Sequence, residues 1–135
     1  MTPEAVRSAI MTQLNTWTAT RIAWPNRVFD PSADESWVEP QIRYGVSTMG
    51  EIGETVGIGH RHGVLIIRLH TPKDGGLKVA ADHAGNLETL FRRYTTLSLV
   101  FDEPNSDFIG IIEARAGQNF YLTVVTIPFQ CFIGE

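Results

Sequence analysis

Four histidines and a single cysteine are the side chains of this 135-residue chain best suited to hold a metal or act as a nucleophile. His60 and His62 are spaced HxH, which on a strand points both rings to one side. A zinc site needs at least three protein ligands, and nothing in the spacing brings His70 or His83 to that pair. Flanked by Gly59 and Gly63, the two histidines read as part of a solvated loop. Cys131 lies in the apolar run FYLTVVTIPFQCFI, the surroundings of an inert buried thiol. No GxSxG elbow is present. The carboxylate pairs Asp34/Glu35 and Asp102/Glu103 sit in turn-like polar stretches and read as solvated charge. Anion binding is the remaining chemistry. The strand VLIIRLHTP, the turn KDGG and the following helix start would place free backbone amides where an anion could sit. The turn nevertheless lacks both GxxxxGK[ST] and GxGxxG and carries the acidic Asp74. Its glycines fit a tight strand-to-helix turn that needs positive backbone dihedrals. The residues therefore favour a protein that is not an enzyme and takes no cofactor or metal. The alternative is a small ligand- or metal-binding domain or enzyme that uses the KDGG turn or the His60/His62 pair.

The totals bound the class of molecule that must carry these residues. One domain of this length can bury roughly two-thirds of its unfolded-chain surface. The apolar fraction of 43% and charged fraction of 19% are those of an ordinary globular protein. A net charge of −4 argues against a basic nucleic-acid-binding surface, and Arg92–Arg93 is the one adjacent basic pair. No apolar run approaches the ~20 residues needed to span a bilayer. The amino terminus does not read as a secretion signal. One cysteine can make no internal disulfide, which suits a chain made in the cytosol.

The elements follow from spacing. Thr2 can cap a first helix, with Pro3 at its first position and Glu4 in its first turn. Val6, Ile10, Leu14 and Trp17 then make one apolar stripe, and the helix should end between residues 16 and 20. Residues 21–24 can form a short strand before a passage broken by Pro25 and Pro31. From 37 to 48 the chain alternates, with Val38, Ile42, Tyr44 and Val46 on one side, and Pro40 marks an edge or a bulge. Trp24, Phe29 and Trp37 read as cover for a helix–sheet core rather than as a base-stacking platform. Residues 64–69 (VLIIRL) form a well-buried central strand. Residues 77–94 form a second helix with Leu77, Ala80, Ala81, Ala84, Leu87, Phe91 and Tyr94 on one face. Gly85 lies inside it, where a close packing contact would explain a residue that costs about 1 kcal/mol relative to alanine. Three strands follow: 97–101, then FIGIIEARA after the turn EPNSD, then the long carboxy-terminal run. Short turns between them predict an antiparallel meander. The fold class is α+β: two helices packed on a mostly antiparallel sheet, in the order α-β-β-β-α-β-β-β, with a long glycine-rich arm, about residues 48–62, between early strands. The whole chain, 1–135, reads as one domain.

This motif set resembles the tail terminator (tail-completion) proteins of long-tailed bacteriophages. The residues that carry the likeness are the first helix, the strand WVEPQIRYG, the segment RHGVLIIRLHTPKDGG and the helix AADHAGNLETLF. The resemblance implies a structural virion protein of a phage or prophage. Its members form a homo-oligomeric ring, usually a hexamer, that caps the head-proximal end of the tail tube, ends tube polymerisation and offers a docking face to the head. The implied partners are other copies of the chain, the tail tube protein and the head connector protein. DNA passes through the ring without specific binding, and no membrane is involved. The implied location is the virion tail, after assembly in the bacterial host cytoplasm. A related head-to-tail connector subunit is the neighbouring alternative. In such families a long loop between early strands orders on assembly. Here that loop would place Met49, Glu51, Ile52, Glu54, Val56, Ile58 and Arg61 at the oligomer interface, and its apolar members would be exposed in a monomer.

Overall fold

A computed structural model describes residues 2–25, 29–31, 35–49, 59–73, 76–96, 99–115 and 118–132. The first helix, α1 (Pro3–Leu14), starts as its sequence requires. The Thr2 hydroxyl accepts from the Ala5 amide at 3.1 Å, and Pro3 occupies the first turn. Val6, Ile10 and Leu14 are fully buried. The second helix, α2 (Gly76–Phe91), buries Ala80, Ala84, Leu87 and Phe91. Gly76 opens it at φ +82°, a left-handed backbone that a Cβ would disfavour. Gly85 has a different meaning from the one expected. A Cβ there would meet nothing within 4 Å, so the glycine makes no close contact.

Among the described residues, seven strands form one sheet: β1 (Arg21–Ile22), β2 (Trp37–Met49), β3 (Gly59–Pro72), β4 (Thr95–Thr96), β5 (Leu99–Phe101), β6 (Asn105–Arg115) and β7 (Gln118–Phe132). Their order is β1-β2-β3-β7-β5-β4, with β6 also paired to β7. All pairs are antiparallel except β1 with β2. The α+β architecture is therefore as the sequence implied, with the two-residue β4 as an added element. Pro40 sits at an open edge. β1 reaches only to the Val38 position, and the Ala23 amide closes that pairing on the Val38 carbonyl. Strand alternation then aims the Pro40 nitrogen past the end of β1, where a missing donor costs nothing. The bulge of β2 lies further on, between Tyr44 and Ser47.

The expected meander does not form. Phe101 faces Phe129 and Asn105 faces Thr126, so residues 102–104 oppose only 127–128 and the chain does not reverse there. β5 and β6 run end to end along the same edge of β7. Pro104 cannot donate to a ladder, so EPNSD interrupts one long edge strand instead of turning it, and the Asp102 amide bonds the Pro128 carbonyl at 2.9 Å.

One face of the sheet carries both helices. Val38, Leu65, Ile67, Leu69, Val125, Ile127 and Phe129 pack there against the helical stripes. Trp37 follows the alternation to the opposite face. With Ala23, Phe120 and Phe29 it builds a second, smaller cluster, whereas Trp24 packs on the main core. Trp37 and Phe29 thus do not cover the helix–sheet core, because a strand sends neighbouring side chains to opposite sides.

Candidate functional site

The strands that frame the glycine-rich segment are longer than the alternation alone suggested. Ser47, Thr48 and Met49 pair with Arg61, His60 and Gly59, so both ends of the 48–62 stretch belong to the sheet. Glu51, Ile52, Glu54, Val56 and Ile58 lie outside the described residues. His60 and His62 sit in β3 and not in a loop; His62 is exposed and faces Gln130 of β7.

The base of this segment is an aromatic and basic cluster. The Arg61 guanidinium lies 5.6 Å from the centre of the Tyr44 ring, within cation–π range. Its Nε is buried without a hydrogen-bond partner among the described residues. Tyr44 donates its hydroxyl to the Pro3 carbonyl at 3.0 Å, which ties the start of α1 to β2. Burial of the phenol raises the Tyr44 pKa. Gly63 lies between Tyr44 and Phe129, whose rings meet edge to face at 6.2 Å. A Cβ at Gly63 would strike the Phe129 ring and come within 2.7 Å of the Arg43 carbonyl. Only glycine fits where the ring crosses the strand.

The other candidate chemistries do not converge. His70 is buried and stacked on Trp37 at 3.9 Å, on the sheet face opposite the helices. His83 lies on α2 with its ring edge towards Trp17 at 6.0 Å, and burial lowers its pKa. Among the described residues no group of three or more His, Cys, Asp or Glu could hold a metal ion. Cys131 is buried and free, with its thiol pKa raised by that burial. The Arg92–Arg93 pair is met by acid: Arg92 bonds Glu88 at 3.0 Å and Glu103 at 3.2 Å, and Arg93 lies 3.7 Å from Glu103. Of the KDGG turn, Asp74 and Gly75 fall outside the described residues.

What stands out is unpartnered apolar surface at the sheet margins, which sequence reading did not single out. Phe108, Ile109 and Ile111 are 47%, 57% and 61% exposed on the edge strand β6. At the other margin, an apolar groove of about 720 Å³ runs between α1 and the open side of β2. The signal for the first was present in the unbroken apolar string FIGII, where an edge strand normally carries charge.

No match was found among curated proteins. One solved structure is similar over 97% of this chain and 96% of its own length, with a TM-score of 0.65 at 16% sequence identity, a likeness that speaks to the fold. The family described as phage tail terminator protein matches residues 5–126, most of the chain. On the strength of that match the chain belongs to the phage tail terminator family.

Proposed function

We propose that this protein caps the head-proximal end of a phage tail tube as a homo-oligomeric ring, ends tube polymerisation and presents a docking face to the head connector. Family membership supports a structural role in the tail. The observation that carries the ring is the exposed apolar surface on edge strand β6, which a solitary soluble chain normally protects. The arm between β2 and β3 is a second contact in this reading. Met49 and Arg61 stand at its base, and Glu51, Ile52, Glu54, Val56 and Ile58 supply its reach to a neighbouring copy, probed by mutation below. DNA passes through the ring as cargo, in keeping with the net charge of −4. Six copies would match the usual closure of such rings.

The test is tube assembly in vitro. Wild-type protein added to polymerising tube protein should shorten the tubes and appear as a ring at one end by negative-stain microscopy. The Ile52→Asp/Ile58→Asp variant should keep its circular-dichroism spectrum and lose both effects. Tubes of unchanged length in the presence of wild-type protein would refute the capping role.

A further inference from the structure

Among the described residues the sheet has two open edges, and they lie at its opposite ends. At one end, β1 covers β2 only at Trp37 and Val38. From Pro40 to Tyr44 the outer side of β2 instead borders the groove under α1, whose apolar wall includes Pro3, Met11, Pro40 and Ile42 and whose rim carries charged side chains such as Arg7 and Glu39. At the other end, β4 covers β5 alone, and among the described residues β6 has no strand partner other than β7. Phe108 and Ile111 face the helix side of the sheet, because Phe108 is opposite Thr123, which is itself opposite the core residue Leu69. The helices stop short of them, and both remain about half exposed or more.

Strand direction makes these edges complementary between copies. β2, β3, β7 and β6 alternate in direction, so β6 runs opposite to β2. Rotation of one copy about an axis along the strands therefore sets its β6 antiparallel beside the β2 of the next. Each copy would give one edge and receive at the other, a heterologous contact that closes into a ring when the rotation allows.

We propose that β6 of one copy docks in the α1–β2 groove of a second copy and continues its sheet by edge pairing. The inference rests on the homo-oligomeric reading above and assigns its main contact to the sheet edges. Phe108 opposite Ile42 puts both side chains on the helix side, where the Phe108 ring enters the apolar groove. The same register places Asp107 opposite Arg43 on the other side. Both are exposed, and neither has an ion-pair partner among the described residues. Opposite charges directly across an antiparallel pair attract, and like charges repel.

The experiment measures assembly of the full chain by sedimentation velocity. Arg43→Asp and Asp107→Arg should each weaken assembly about threefold to tenfold per contact. Mixing the two variants in equal amounts should restore it, because copies that alternate around a ring meet only opposite charges. Phe108→Asp/Ile111→Asp should abolish assembly with an unchanged melting temperature, since both positions are exposed. In a Cys131→Ala background, Ile42→Cys with Phe108→Cys should give an intermolecular disulfide ladder on oxidation. Wild-type rings together with variants that assemble unchanged and no ladder would overturn this contact while leaving the ring intact. A wild-type chain that stays monomeric, with and without tail tube, would overturn both this contact and the ring.

Discussion

At Gly63 a single hydrogen atom decides whether the strand can pass beneath an aromatic ring. The Phe129 ring and the Arg43 carbonyl leave no room for a Cβ, and a β-strand at the sheet centre cannot shift without disturbing both neighbours. Gly63→Ala should cost about 1–3 kcal/mol by overpacking, read as a lower midpoint in urea at constant slope. His83 gives a pH signature. Burial lowers its pKa below that of an unfolded histidine, and its Nδ1 is buried without a hydrogen-bond partner among the described residues. The unfolded chain therefore takes up the proton first. Stability should be unaffected by this residue well above the unfolded pKa and should fall as pH drops through and below it. Melting temperatures of wild type and His83→Gln should diverge between pH 7.5 and 5, with the variant losing less on acidification. A parallel decline in both would remove His83 from the account.

The elements show where local sequence signals suffice and where they do not. Thr2, Pro3 and the Val6–Ile10–Leu14 spacing specified α1 and its buried face, since capping and helical period act within one turn. Gly85 misled for a physical reason. A glycine in a helix signals either a close contact or an uncommitted exposed position, and only the neighbours distinguish them. Here nothing lies near, so Gly85→Ala should stabilise the monomer by about 0.5–1 kcal/mol, measured as a rise in melting temperature. The stretch 99–115 is the counterpart among strands. Its Pro104 and Asn105 have turn chemistry, yet β7 is long enough to accompany the chain on both sides of the interruption. Ladder pairing with a partner distant in sequence overrides a local turn preference.

For the molecule as a whole, one face covered by helices and one covered in part by the Trp37 cluster leave a sheet whose margins are still open among the described residues. Assembly should close them, and hydrogen exchange can report it. Amides of residues 50–58 and those of β6 that point away from β7 should gain protection between the dilute and the concentrated or tube-bound protein, while residues 64–72 of β3 and the amides of β7 stay protected throughout. If residues 50–58 show equal exchange in both forms, the arm has no part in the contact.

Two helices, a strand-rich remainder, the α+β class and the family resemblance matched over residues 5–126 were legible in the residues alone. These are set by short-range periodicity, capping and the order of elements, all of which survive without knowledge of contacts. The residues also marked the glycine-rich segment between the early strands. Contacts between distant parts of the chain set β5 and β6 on one edge of β7, turned Trp37 away from the main core and, among the described residues, left β2 and β6 as the open margins of the sheet. Those outcomes depend on which strands become neighbours. Pairing is chosen by burial across the whole chain, and no local window of sequence records it.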